Sequence, residues 1–171
     1  MPYTTISTYI KNLTNLRVIL DKAIAYQAEH KISDETMMNA RIALDQFALA
    51  GQVRSTCNHA RNAAAVIRGL DQPSYDDNEK TLADLQARID KVLEYLNEVT
   101  KESVKDDLET RLVPLYWMPG KGLTAKFFLE EYALSNFFFH YVTAYSILRH
   151  YGLEIGKADY MGGVELFDLS K

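Results

Sequence analysis

The stretch that decides the fold is LSNFFFHYVTAYSILRHYG, which occupies residues 134–152. It is apolar and aromatic over most of its length, and only a few uncharged polar groups interrupt it. Thr124 can cap a helix that runs through this stretch, and Gly152 can close it just beyond its end. About 27 residues, each rising about 1.5 Å, would span roughly 40 Å. The sequence therefore predicts one long helix between Thr124 and Gly152.

His140 lies in this stretch directly after three phenylalanines, Phe137, Phe138 and Phe139. An imidazole in such apolar surroundings needs a hydrogen-bond partner if it is buried. His140 is therefore the strongest single indication of a functional site in the sequence.

Three further parts of the chain have the spacing of amphipathic helices. Apolar residues recur at intervals of three and four over residues 5–29 and over residues 77–100. The pattern between them is too long for one straight helix and contains Gly51, a weak point. We therefore expect a short helix near 34–43 and a longer one near 45–69.

Four long amphipathic segments joined by short connections predict an all-α four-helix bundle with one extra short helix. Residues 101–123 break the helical pattern, and 111–118 could form a short edge strand or hairpin there. The acidic run at 76–79 is interpreted as charge placed at the N-terminus of the helix over 77–100. The short, mixed tail after Gly152 should wrap the surface. We expect a single domain over residues 1–171.

Composition excludes some classes of protein. The net charge of −4 gives no electrostatic reason to expect a nucleic-acid partner. No apolar run is long enough and free enough of polar groups to predict a membrane span, and the N-terminus lacks the pattern of a signal peptide. A single cysteine, Cys57, excludes an internal disulfide and suits a reducing compartment. A cytoplasmic location is therefore expected.

Short blocks spread over nearly the whole chain are similar to those of a known family. They are NL at 15–16, ILDKA at 19–23, AR at 40–41, QV at 52–53, HA at 59–60, LQARI at 85–89, NFFFH at 136–140, AY at 144–145, ILRH at 147–150 and GK at 156–157. With these blocks the chain resembles the bacterial and fungal family catalogued as domain of unknown function 1993, within the DinB-like four-helix-bundle superfamily. One departure is Leu44, because the family usually has a proline before Asp45.

The resemblance implies a DinB-like four-helix bundle and a homodimer, but no assigned reaction. The superfamily contains metal-binding proteins and thiol-dependent transferases, which typically use one histidine on the second long helix and two, four residues apart, on the fourth. This chain matches that pattern only in His59 and His140. Asn136 and Ala144 stand four residues before and after His140, so the paired histidines of the fourth helix are lacking.

A metal site is one hypothesis for His59 and His140. A zinc or nickel ion needs three or four ligands, so the two histidines would require a third strong ligand, for which Asp45 and Glu130 are candidates. The interpretation without any metal is favoured, because the third ligand is missing from the motif. In that case the two histidines are buried, neutral and hydrogen-bonded, to each other or to Tyr145.

A pocket without a metal is the leading hypothesis. Its predicted lining is Asn58, His59, Asn136, His140 and Tyr145, walled by aromatic rings. Such a pocket would suit a small molecule with an apolar body and one polar end, and His140 could transfer a proton there. The alternatives are a metal- or thiol-dependent transferase of the DinB-like type and a structural or interaction module with a packed aromatic core.

Two single residues need an interpretation of their own. Cys57 is interpreted as a small buried apolar group, because its side chain points roughly 200° away from that of His59 on a helix. Trp117, in a loop rich in proline and glycine, could pack over a pocket, contact a second subunit or close one end of the bundle. We favour the contact in a homodimer, since the superfamily resemblance also suggests one.

Overall fold

Four long helices form the architecture in the computed structural model, which describes residues 2–164 and 166–169. They are α1 (Pro2–Glu29), α3 (Leu49–Arg68), α4 (Leu82–Asn97) and α6 (Leu134–His150). The shorter helices are α2 (Asp34–Met38), α5 (Ala125–Phe127) and α7 (Lys157–Met161), with a 3₁₀ turn at Lys101–Ser103 and a π-helical segment at Phe128–Ala133. Residues 1, 165 and 170–171 of the predicted domain lie outside the described residues.

The long helices pack around one apolar core. The helix α3 contacts both α6 and α4 extensively, and α4 in turn packs against α1. Apolar side chains at helical spacing fill the space between them. Fully buried examples are Tyr9, Leu13, Leu16 and Leu20 from α1, Val53, Ala60 and Ala64 from α3, Leu85, Ile89 and Leu96 from α4, and Phe137, Tyr141 and Ile147 from α6. The prediction of an all-α four-helix bundle is confirmed.

The start of α3 differs from the prediction. The helix α2 ends at Met38 rather than near 43, and α3 begins at Leu49 rather than near 45. The intervening chain is held by other bonds, since the Leu49 amide donates to the Ala40 carbonyl over 2.8 Å. Gly51 lies inside α3, where a Cβ would come within 3.0 Å of the Phe47 side chain. Because Gly51 has no side chain, the Phe47 side chain can pack against the first turn of α3.

The acidic run at 76–79 does not lie in the first turn of α4, so its interpretation as charge at the N-terminus of that helix is wrong. The helix α4 begins at Leu82, where Thr81 and Asp84 form a reciprocal capping box. Asp77 and Glu79 lie in the extended segment before it and form ion pairs with arginines. Helical periodicity gives no indication of these partners, which are Arg54 on α3 and Arg88 on α4.

The predicted final helix has an irregular first half. Thr124 caps it, because its hydroxyl oxygen accepts from the Phe127 amide over 3.2 Å. The helix then passes through the π-helical segment before α6, and it ends before Gly152, which has a φ of +99°. The Leu153 amide donates to the Leu148 carbonyl over 3.0 Å and closes the helix end.

The connection before that helix contains a small hairpin. Strand β1 (Leu112–Pro114) pairs antiparallel with β2 (Gly122–Thr124), so the predicted strand is present but shorter than 111–118. The hairpin loop, residues 115–121, carries Trp117. After α6 the tail returns to the bundle. There the side-chain amide of Asn15 in α1 donates to the backbone carbonyl of Tyr160 in α7. Among the described helices, none combines the length and apolarity that crossing a membrane demands.

Candidate functional site

A cleft of about 450 Å³ opens between α3, the final helix and the hairpin loop. One stripe of α3 forms its floor, because positions 55, 58, 59 and 62 lie on the same helix face. These positions hold Ser55, Asn58, His59 and Asn62. Asn136 and His140 of α6 face them across the cleft. Four of the five residues predicted to line a pocket, Asn58, His59, Asn136 and His140, therefore lie together.

Tyr145 is the exception, and its predicted place in the lining is wrong. Its ring packs edge-on against Tyr160 with centroids 5.6 Å apart, and its hydroxyl contacts Arg149. Tyr145 follows His140 by five residues, which places it roughly 140° away around a helix. The same rotation carries it from the cleft side of α6 to the side covered by α7.

His140 is held in one orientation by a chain of hydrogen bonds. The Gln52 amide nitrogen donates to the Phe47 carbonyl over 2.9 Å, which turns the Gln52 carbonyl oxygen toward His140. The His140 Nδ1 lies 2.8 Å from that oxygen, so Nδ1 carries the proton and donates. The His140 Nε2 is then left as an acceptor with a free lone pair. Burial lowers the pKa of His140, which keeps the ring neutral at neutral pH.

His59 lies beside His140 without sharing a hydrogen bond with it. The two rings are nearly parallel, with an angle of 10° and centroids 5.6 Å apart. The Nδ1 of His59 is fully buried and finds no hydrogen-bond partner among the described residues. Burial, and then the nearby charge that His140 can carry, lowers the pKa of His59 to about 4. The predicted bond between the histidines, or to Tyr145, is replaced by the bond from His140 to Gln52.

The π-helical segment Phe128–Ala133 contributes two rings to the cleft wall, those of Phe128 and Tyr132. A π-helical turn contains an extra residue and rotates the side chains before it relative to those after it. The side-chain amide of Asn136 donates to the Tyr132 carbonyl over 2.8 Å, which satisfies a backbone acceptor at this irregularity. The regular apolar pattern of the sequence predicted an uninterrupted helix here, so it could not indicate this feature.

Aromatic side chains form the rim of the cleft. Trp117 stacks on Tyr132 with centroids 5.5 Å apart, and Phe47 stacks on His140 at 6.1 Å. Trp117 remains 45% exposed and Phe47 remains 60% exposed. Of the three roles considered for Trp117, the structure places it over a pocket, while its role in a dimer stays a prediction.

Arg61 also lines the cleft, although no sequence pattern marked it as a site residue. Only 6% of the residue is exposed, and its Nε and Nη2 both donate to the side-chain oxygen of the adjacent Asn62. Its guanidinium lies 4.5 Å from the centre of the Tyr75 ring. Burial, and then the charge of Arg88, lowers the pKa of Arg61. Arginine on an amphipathic helix is usually exposed, so the sequence contained no signal of this burial.

No third strong metal ligand among the described residues lies beside the histidine pair. Asp45 and Glu130, the two candidates, are both exposed. Within residues 2–164 and 166–169, no group of three or more His, Cys, Asp or Glu side chains could hold a metal ion. Cys57 is fully buried, and burial raises the pKa of its thiol to about 12. The residues present therefore do not fit the three-histidine metal set of the superfamily.

Comparisons with known proteins agree with this fold. No functionally curated protein matches the chain. A crystal structure of a DinB family member protein from Shewanella denitrificans matches with a TM-score of 0.89 and 37% sequence identity, covering 97% of this chain and 94% of that one. Residues 2–161 match the family described as Domain of unknown function (DUF1993). This protein therefore belongs to the DUF1993 family and has the DinB-like four-helix-bundle fold.

Proposed function

We propose that the protein binds a small organic molecule in the cleft beside His59 and His140. The observation that carries this proposal is the buried Nδ1 of His59, which has no hydrogen-bond partner in the part of the chain that the structure describes. An unsatisfied polar atom in a buried position costs about 1 to 3 kcal/mol, so selection for stability alone would not retain it. A bound molecule that forms a hydrogen bond with this nitrogen would offset this cost.

The cleft has the composition of a small-molecule site. Its volume of about 450 Å³ is in the usual range for such sites, and aromatic rings surround a few convergent polar groups. The two neutral imidazoles present uncharged ring nitrogens to the ligand rather than positive charge. The His140 Nε2 can in addition accept a proton from a ligand, since Gln52 holds the Nδ1 proton in place.

Replacing His59 with leucine is expected to abolish ligand binding without unfolding the protein. Leucine removes the unsatisfied nitrogen while keeping an apolar side chain, so the free energy of unfolding at pH 7 should be unchanged or higher. The test is a screen of small metabolites by thermal shift and by the fluorescence of Trp117, the single tryptophan, which lies in the cleft rim. A ligand at a hundredfold excess over its Kd stabilises the folded state by about 2.7 kcal/mol.

The matched control is His150→Leu, which changes an exposed histidine at the end of α6. This variant should keep every ligand response of the wild type. Two results would contradict the proposal. One is a ligand response that survives in His59→Leu, and the other is a screen that finds no ligand, which would favour the structural module.

We also infer a cytoplasmic location and a homodimer. The location is supported by the single buried thiol, which suits a reducing compartment.

The dimer is supported by the exposed apolar side chains of the hairpin loop, where Tyr116 is 87% exposed and Met118 is 48% exposed. Sedimentation velocity at micromolar concentration should give the mass of two chains, and a monomer under these conditions would refute the dimer.

A further inference from the structure

Two arginines of this protein are almost completely buried, and they differ in their partners. Arg88, 5% exposed, forms ion pairs with Asp77 and Glu79 at 3.0 and 2.6 Å. Arg61, 6% exposed, forms no ion pair with any described residue, and its Nη1 has no hydrogen-bond partner there. An unpaired buried charge is costly, so protein interiors normally supply a counter-charge. Arg61 thus lacks the anion that Arg88 has.

The residues around Arg61 compensate its positive charge only in part. The Tyr75 ring and the neutral side chain of Asn62 contact the guanidinium, but neither carries a negative charge. Arg88 adds a second positive charge nearby, and this charge lowers the pKa of Arg61 after burial itself. A guanidinium nevertheless stays protonated in proteins. The charge of Asp77 opposes this lowering of the pKa only as the last of its causes, and the Asp77 carboxylate is paired with Arg88. The positive charge of Arg61 therefore persists at the wall of the cleft without an ion pair to any described residue.

We infer that the cleft takes a small organic anion, in which a carboxylate or phosphate group contacts Arg61 and a planar apolar body lies among the rim rings. This inference rests on the proposed function, since it names the class of molecule bound there. A guanidinium donates strong charge-assisted hydrogen bonds to carboxylates and phosphates. Phe47, Trp117 and Tyr132 supply the aromatic faces for the planar body. His59 and His140 are both neutral, so a hydrogen-bond donor on the planar body can lie beside their ring nitrogens without charge repulsion.

The test compares charged and neutral probes of one shape. Benzoate and phenyl phosphate carry the two anionic groups, and benzamide is the neutral isostere of benzoate. Binding is followed by quenching of Trp117 fluorescence in the intact chain. We expect benzoate or phenyl phosphate to bind at least about tenfold more tightly than benzamide, the effect of one charge-assisted hydrogen bond. The tighter of the two anions identifies the group that the site prefers.

Arg61→Met should remove this preference. Methionine keeps the length and apolar stem of the side chain, so benzoate should then bind no better than benzamide. The matched control is Arg68→Met on the same helix, where the arginine pairs with Glu98 outside the cleft; it should retain the wild-type preference. If Arg61→Met does not fold, the wild type decides, because added salt should weaken benzoate binding and leave benzamide binding unchanged.

The outcomes separate this inference from the proposed function. Equal quenching by charged and neutral probes would overturn the anion inference and leave the ligand cleft intact. An anion preference that survives in Arg61→Met would also overturn it, by placing the anion elsewhere. If no probe quenches Trp117 at millimolar concentration while the metabolite screen does find a ligand dependent on His59, the anion inference alone is refuted. If neither finds one, both are refuted.

Discussion

Glu79→Gln is expected to lower the free energy of unfolding by about 3 to 5 kcal/mol, the cost of leaving buried charges without their partner. The Glu79 carboxylate lies 2.6 Å from both Arg54 and Arg88, and the side chains of Glu79 and Arg88 are 8% and 3% exposed. Burial alone would raise the pKa of Glu79, but hydrogen bonds from Arg88 and Arg54 bring it below its ordinary value. The carboxylate is therefore ionised at neutral pH. Urea denaturation followed by circular dichroism measures the loss.

The control for this prediction is Glu98→Gln, which breaks an exposed ion pair. Glu98 lies 3.0 Å from Arg68, but its side chain is 58% exposed, so the loss should stay below about 1 kcal/mol. A further Arg88→Met change in the Glu79→Gln background should recover part of the loss, because it removes one of the two positive charges that lose the Glu79 carboxylate. Similar small losses in both glutamine variants would show that the Glu79 network does not stabilise the fold.

Acid is expected to destabilise the wild type more than the His59→Leu variant. The pKa of His59 falls from 6.5 in the unfolded chain to about 4 in the folded one, because of burial first and the charge of His140 second. The unfolded state then binds more protons between these two values, so the stability present above pH 6.5 is lost as the pH falls toward 4. The full shift corresponds to about 3 kcal/mol.

The measurement is the free energy of unfolding by urea at a series of pH values from neutral to about the folded pKa. Because carboxylates also titrate in this range, the difference between wild type and His59→Leu is the informative quantity. Asn136→Leu is the control, since it changes the same cleft without removing a titratable group, and its slope should match that of the wild type. Parallel slopes for wild type and His59→Leu would mean that His59 is protonated as readily in the folded protein as in the unfolded one.

The sequence predicted the bundle because helices are specified locally. Apolar residues at intervals of three and four define a helix face, and the Thr124 hydroxyl and the positive φ of Gly152 mark the ends of the final helix locally. The same reasoning placed His59 and His140 on two long helices, and the family resemblance indicated that these helices meet. The helix boundaries near 43–49 and 77–82 were less accurate, because non-helical bonds hold the chain there. The Leu49 amide donates to the Ala40 carbonyl, and the Arg54 and Arg88 side chains donate to the backbone carbonyls of Glu79 and Asp76.

The cleft could be predicted only in outline. Asn58, His59, Asn136 and His140 line one cleft, whereas Tyr145 lies against Tyr160 on the other side of α6. The burial of Arg61 depends on Tyr75, fourteen residues away in the loop before α4. No local pattern indicates that a helical arginine will be covered by a distant loop and left without an ion pair to any described residue.

The sequence by itself thus determined the helices, their apolar faces and the two helices that carry the histidines. Only the tertiary structure decided which charges are paired, which nitrogen of His140 carries the proton and which polar groups remain without partners. The reason is physical: helix formation depends on neighbours within about one turn, which the sequence states directly. Charge pairing and burial depend on distances of a few ångströms between residues far apart in the chain, and packing of the whole bundle sets those distances.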